Sequence, residues 1–367
     1  MTRWQWRGRV ALLGVALALF LVPLLPYHDV INSDWSAFDT GARLIVSDPG
    51  HLYDFDAQRR VELRVTGGRV LVTLGIHGIL PFLAPAWVAL IAVPFDLLGA
   101  DLGGRLWVLF GLVCLVAGLY FATRPRPPTA ILPAFATVPA ALMMQNAQLD
   151  GIVALGVGAA IALRSRPYLA GVALGLTLVK PQLILPVGFA LLLTRKWRVL
   201  AGWATVGAVL LAATLALNPR WVLEWLPALS STVQTGAREV SLPHFAVYLP
   251  AALQTYGLIG LTLFAVFDAL VLAARRAKDF NAVAAILVIG GVVASPHALP
   301  SDLVLVAVGL AIWGEAGWVE WLALSAVAII AAFAPAPVPA VVGVLLILVL
   351  SARISLWRRG LVPASAR

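Results

Sequence analysis

Apolar runs of about 15–20 residues follow one another along the whole chain, separated by short polar or basic breaks, the pattern of helices that span a bilayer. The runs predict helices at roughly 9–26, 80–98, 104–122, 129–144, 150–164, 167–179, 181–194, 199–217, 256–274, 281–295, 299–313, 318–333 and 336–356. The expectation is an all-α polytopic membrane protein with about 11–13 transmembrane helices, several of them short for a hydrocarbon core of about 30 Å. The first run, Val10 to Pro26, is followed by no small-residue cleavage site and reads as a retained helix.

Two longer segments break the rhythm, 27–79 and 218–255. In the first, Trp35, Phe38, Ala42 and Ile45 recur at helical spacing and predict a short amphipathic helix over 34–47, lying on the membrane. In the second, RWVLEWLPALSSTV reads as an interfacial helix whose tryptophans suit the headgroup zone. The other connections are short, so residues 1–367 read as a single membrane domain, with 27–79 and 218–255 as outer segments. No period of about 20–50 residues marks a repeat array.

Charge orients this arrangement. The net charge of +9 would suggest nucleic acid in a soluble chain. Here 61% of residues are hydrophobic, only 12% are charged, and the basic residues cluster between apolar runs. Those clusters mark the cytoplasmic side: Arg3, Arg7 and Arg9; Arg124 and Arg126; Arg164 and Arg166; Arg195, Lys196 and Arg198; Arg275, Arg276 and Lys278; Arg358 and Arg359. The junctions at 145–150, at Lys180 and at 295–300 then face outward, as does the segment holding Asp34. The expected location is the cytoplasmic membrane, with these junctions on its outer face. One parity conflict arises, because three runs lie between 27 and 145 where an even number is needed. The stretch 80–98, interrupted by Pro81, Pro85 and Pro94, is the one expected to be broken or re-entrant.

The single cysteine, Cys114, supports neither a disulfide framework nor a metal site. No glycine-rich nucleotide loop, zinc-spaced histidine pair or nucleophile elbow occurs, which argues against an energy-coupled pump or a soluble nucleotide-sugar enzyme. Ionisable groups in such apolar surroundings are costly and are functional candidates by default: Asp34, Asp39, Asp96, Asp150, Lys180, Asp268, His297 and Asp302. Asp34 admits two readings, an N-cap of the 34–47 helix or a general base at the membrane surface. Asp39 reads as a solvated face residue. Arg43, Arg59, Arg60, Arg64 and Arg69 are balanced by nearby acids, and either pair locally or bind a phosphate. Lys180 sits at a Pro181 helix break, either snorkelling or holding an anionic headgroup. His297 and Asp302 share one outward turn, as cap and structural histidine or as part of a site. MMQNAQLDG brings Gln145, Asn146, Gln148 and Asp150 to another outward junction; Asn146 or Asp150 reads as an ordinary cap, while the gathered amides are of the kind that bind sugar hydroxyls.

Taken in order, the motifs resemble a known family. DWSAFDTGARL and LYDF, the proline-rich LPFLAPAWVALIAVP, Asn146 and Gln148, the glycine-rich AGVALGLTLVKPQLILPV with RKWR, and ASPHALPSDLVLV follow the pattern of glycosyltransferase family 87 from about residue 9 to 313. That family has the GT-C membrane fold and uses polyprenyl-phosphate sugars. The resemblance implies transfer of mannose or a pentose to an acceptor hydroxyl of a glycolipid or glycan, with inversion and with Asp34 as base. It implies a donor phosphate held by Lys180 first, His297 second and loop arginines such as Arg59 and Arg60 third. It leaves Asn146, Gln148, Asp302 and Tyr53 for substrate contacts. A monophosphate donor demands no metal, and no cofactor or nucleic-acid partner is expected. The competing readings are a transporter or flippase of a lipid-linked headgroup and a catalytically inactive protein of the same fold.

Overall fold

The computed structural model describes residues 3–69, 71–73, 76–231 and 238–357. Arg358, Arg359 and the end of the 220–233 segment lie outside the described residues. Helix α1 (Arg3–Leu21) continues into a tight turn at Val22–Leu24 and stands at the periphery, with most of its middle open to the surroundings. Arg105 ties down the end of that turn, donating to the carbonyls of Pro23 at 2.6 Å and Leu25 at 2.8 Å.

A cap follows, built from α2 (Trp35–Ser47), α3 (Phe55–Val65), a two-stranded antiparallel ribbon β1 (Leu71–Thr73) and β2 (Ile76–Gly78), and α4 (Ala86–Asp96). Gln58 and Glu62, one turn apart on α3, hold the chain beyond the ribbon in an extended form. Leu80 N–H donates to Glu62 at 2.8 Å and Phe82 N–H to Gln58 at 2.9 Å. With these bonds made, and with Pro81 and Pro85 unable to continue a helix from behind, α4 starts only at Ala86. Its 11 residues reach about 16 Å, too short for a bilayer core. The helix packs on α2 instead, so the proline-interrupted run 80–98 holds no helix of spanning length.

The membrane body comprises α5 (Ala100–Thr123), α6 (Leu132–Phe135), α7 (Val138–Gln145), α8 (Asp150–Ala162), α9 (Pro167–Leu174), α10 (Leu185–Leu193) and α11 (Trp197–Leu217). After α12 (Trp221–Ser231) come α13 (Ala251–Ala274), α14 (Phe280–Ala294), α15 (Val304–Trp313), α16 (Trp318–Phe333) and α17 (Val338–Leu356). Among the described residues, five helices are long and apolar enough to cross a membrane: Trp6–Leu24, Ala100–Thr123, Trp197–Leu217, Ala251–Ala274 and Val338–Leu356. A sixth is counted if Pro128–Phe135 and Val138–Gln145, bent by 72° at their junction, form one broken span. The remaining apolar helices have 10–17 residues. The chain is an all-α, multi-pass membrane protein, and among the described residues five or six helices reach spanning length where the apolar runs predict 11–13.

Small residues let the body close. Gly111 and Gly118 of α5 meet Gly151 and Gly158 of α8 backbone to backbone, and a Cβ at Gly158 would collide with the Gly118 carbonyl. Where apolar burial gives no preference over lipid, such close contact supplies the packing. Gly158→Ala is expected to force the two helices apart at a cost of about 1–3 kcal/mol, read as a lower unfolding temperature in detergent. An unchanged temperature would show that the helices can part freely.

Two surface expectations are corrected by the cap. Helix α2 is enclosed by α3, α4 and α5 rather than lying on the membrane. Trp35 is fully buried, 5.6 Å from Trp107 between ring centroids, and Phe38 packs on the same indole at 5.3 Å. Asp39 is therefore not solvated. It is fully buried and paired with Arg43 at 3.2 Å, and Arg43 also reaches Asp96 at 3.0 Å. Burial, with Asp96 close by, pushes the Asp39 carboxyl up to about 7. Helix α12 forms as expected, but its tryptophans face inward. Trp221 packs among Tyr53, Trp87 and Trp225, and the Trp225 indole donates to the Leu83 carbonyl at 2.8 Å. Leu223, Leu226 and Leu229 are the large apolar residues it exposes.

Candidate functional site

Three chain breaks converge under the cap. The first is the start of α2. Ser33, not Asp34, serves the helix end, its hydroxyl accepting from Trp35 N–H at 3.3 Å while it donates to Val30 O at 2.5 Å. Asp34 makes no capping bond. Its carboxylate accepts a short hydrogen bond from the Gln148 amide, and its other oxygen has no hydrogen-bond partner among the described residues.

The second break is the turn between α7 and α8. Ala147 adopts a left-handed conformation, φ 53°, unusual for a residue with a Cβ. Trp107 fastens it by donating from its indole to the Ala147 carbonyl at 2.9 Å. This turn aims Gln148 at Asp34 and starts α8 at Asp150, which is fully buried.

The third break is at Lys180. Pro181 lacks an N–H and disfavours helical backbone before it. Lys180 is accordingly non-helical, φ −142° and ψ 68°, between the tight turns Gly175–Val179 and Pro181–Ile184. Gly291 of α14 lets that helix press against the Leu183 carbonyl, which backs the break. The ammonium donates to Gln148 Oε1 at 2.6 Å, to Asp302 Oδ1 at 2.6 Å, and to both Asp150 oxygens at 3.2 and 3.3 Å. Its three protons thus have three protein partners. An ammonium can only donate, so Gln148 must turn its oxygen to Lys180 and its NH₂ to Asp34. Asp302 in addition accepts from Leu299 N–H at 2.7 Å, so it caps as well as pairs.

His297 completes the group. Its side chain keeps 64% of its surface open, while Glu239, hydrogen-bonded to its Nδ1, keeps 6%. The Glu239 charge raises the imidazole to about 9 against the opposing effect of burial. Burial pushes the Asp34 carboxyl up to about 6, and the positive charges of Lys180 and His297 hold it from rising further. Asp34 and His297 both retain accessible surface, whereas Gln148, Asp150, Asp302 and Glu239 lie behind them. Such a layout presents a proton acceptor and a cation to a ligand and keeps their supports dry.

Of the residues singled out in the sequence, the structure brings together Asp34, Gln148, Lys180, His297 and Asp302. Asn146 ends α7 beside Gln148 and is partly open. Three other placements differ from expectation. Arg59 and Arg60 lie on the exposed side of α3, because Gln58, Val61 and Glu62 take its inner face. Tyr53 is buried in the cap, its hydroxyl donating to the Ala84 carbonyl at 2.8 Å, so it has no free group for a substrate. Lys180 and Asp302 are turned to each other rather than outward. Arg43 and Arg69 pair locally, the latter with Asp29 at 3.0 Å. Glu239 was not legible as a site residue, since nothing in the spacing of AREVSLPH ties it to His297. Among the described residues, no group of three or more histidine, cysteine or acidic side chains could hold a metal ion.

No curated protein and no solved structure matches the chain. The family model of Glycosyltransferase family 87 matches residues 82–296. That stretch, narrower than the run of motifs, contains Gln148, Asp150, Lys180 and Glu239, ends just before His297 and Asp302, and begins well after Asp34. It covers more than half of the 367 residues, and with the multi-pass helical body it establishes that the chain belongs to glycosyltransferase family 87, as a membrane glycosyltransferase.

Proposed function

We propose that the protein transfers a sugar, mannose or a pentose, from a polyprenyl-phosphate donor to an acceptor hydroxyl at the outer face of the cytoplasmic membrane, with inversion. The observation that carries the reading is the Asp34 carboxylate, held on one side by Gln148, partly accessible, and within electrostatic reach of the exposed His297. Asp34 takes the proton of the acceptor hydroxyl, and the acceptor oxygen attacks the anomeric carbon. The bond from that carbon to the phosphate oxygen breaks, and its electron pair stays on the phosphate. The lipid phosphate gains one negative charge, which a fixed donor or cation beside it stabilises without reorganisation. Since the protons of Lys180 are taken by Gln148, Asp150 and Asp302, the phosphate falls to His297. Asn146, partly open beside Gln148, is the amide placed to meet a sugar or acceptor hydroxyl.

The test is transfer of radiolabel in membranes containing the protein, comparing polyprenyl-phosphate mannose, polyprenyl-phosphate arabinose and a nucleotide sugar. Incorporation from a lipid phosphate donor, with inverted configuration in the product, is the expected result. Incorporation from the nucleotide sugar alone would overturn the reading.

The two groups also set a pH profile. Asp34 works only when deprotonated, so the rate rises as pH passes about 6. His297 serves only when protonated, so the rate falls as pH passes about 9. A bell with these two limbs is expected in kcat/KM. A rate that keeps climbing above the upper limb would remove His297 from the phosphate.

A further inference from the structure

The segment Arg238–Leu242 approaches the α14–α15 junction as an extended strip. Val240 N–H donates to Ala298 O at 2.8 Å, and Leu242 N–H to Val293 O at 3.0 Å. Immediately before the first of these bonds, Glu239 is 5% exposed and spends both oxygens on the facing loop. One accepts from Ala298 N–H at 2.6 Å, the other is bonded to His297 Nδ1. Ser295 steadies the same loop, its hydroxyl donating to His297 O at 2.6 Å. The imidazole is thus gripped at Nδ1 and at its backbone, and Nε2, which has no partner among the described residues, is the ring's free polar atom. A buried carboxylate on one ring nitrogen stabilises the charged ring and fixes its orientation.

We propose that Glu239 is a positioning residue that keeps His297 an imidazolium with its Nε2–H turned to the open side, so that the pair delivers one cation and one hydrogen-bond donor to the phosphate oxygen that leaves the sugar. The role assigned at the phosphate rests on the donor proposed above. As the anomeric carbon–oxygen bond breaks, the phosphate passes from one negative charge to two, and Nε2–H is bonded to the oxygen that receives the pair. The Glu239–His297 unit is neutral as a whole. Its positive end faces the ligand and its negative end is buried. Around the ring, Glu239, Asp302 and Asp34 favour the proton, while Lys180 and His244 oppose it. Removing Glu239 removes the largest favourable contribution.

The experiment titrates His297 directly in the full chain in detergent. Diethyl pyrocarbonate acylates neutral imidazole only, and peptide mass spectrometry assigns the site between about pH 5 and 10. In the wild type His297 should gain reactivity near pH 9. In Glu239→Gln it should react at least about tenfold faster at about pH 7.5, moving toward the ordinary histidine range. Glu239→Asp should restore part of the protection. Buried His28 reports folding and should stay unmodified in each. A wild-type His297 that titrates in the ordinary range overturns the proposal whether or not the variants fold, and so does an unchanged rate in a folded Glu239→Gln. In parallel, transfer from polyprenyl-phosphate mannose should show the alkaline limb moved down in Glu239→Gln and the acid limb left in place. If the titration behaves as expected but no lipid phosphate donor is used, the dyad stands and the donor assignment falls.

Discussion

Asp34→Asn should lower kcat by about 10²–10⁴-fold, the usual worth of a general base, while leaving the donor KM close to wild type and the fold intact. Asparagine has the same shape, and its carbonyl oxygen can still accept from the Gln148 amide that now bonds the carboxylate. What disappears is the ability to take a proton. An interaction that matters only as the hydroxyl loses its proton lowers kcat and kcat/KM together. The stability effect has the opposite sign. The folded-state pKa of Asp34 is raised from 3.8 to about 6 by burial, so the fold opposes its ionisation. That cost is absent below the unfolded value and fully present above the folded one. At neutral pH the asparagine variant should therefore unfold at the same temperature as the wild type or higher. A functional group that costs stability is expected at an active site. Rates with labelled donor and a thermal unfolding curve decide the matter. If kcat stays within tenfold of wild type, Asp34 is not the base. If activity falls and the unfolding temperature drops by many degrees, the carboxylate is a structural support.

How much of this was legible in the sequence follows from the range of each interaction. Helix ends were readable because local chemistry sets them. Pro167 and Pro181 start the short elements on either side of Lys180, Lys196 precedes α11, and Gly314 ends α15 in a left-handed conformation. Asp34, Gln148, Lys180 and Asp302 stood out because each is a polar group at the edge of an apolar run, where it must have a partner. Their pairing was not readable. It depends on α5 meeting α8 and on α14 pressing against the Lys180 break, contacts made by residues far apart in the chain. One clue was present in plain form. Gly111 and Gly118 lie seven residues apart on α5, and Gly151 and Gly158 repeat the interval on α8, which marks two faces made to touch. Asp39 was misread because its exposure depends on α4. The period of α2 shows that one side is apolar, but not that Asp96 and Arg43 close over the other. Glu239 depended on backbone pairing between 238–242 and the His297 loop, which leaves no trace in composition.

Lys180→Met should be the most damaging single change, in both stability and catalysis. In the wild type one buried cation faces Asp150 and Asp302 at 3.2 and 2.6 Å. Its removal leaves two buried carboxylates facing each other, and breaking such a group from one side costs about 3–5 kcal/mol. It also frees Gln148. Without an ammonium on its oxygen the amide can turn that oxygen toward Asp34, where it repels the carboxylate instead of holding it. The two effects separate in the double variant Lys180→Met with Asp150→Asn. The wild-type trio carries one positive and two negative charges, and the double variant carries only that of Asp302, the same net charge. Asp302 still has the Leu299 N–H to accept from. Most of the lost stability should return, seen as recovery of the unfolding temperature in detergent. Activity should not return, because nothing then orients Gln148, and the deficit should lie in kcat. If Lys180 instead bound the donor phosphate directly, both variants would show a raised donor KM and approach the wild-type rate at saturating donor. Recovery of rate together with stability in the double variant would reduce Lys180 to a structural cation. Loss of kcat with stability restored identifies it as the residue that sets the angle of the base.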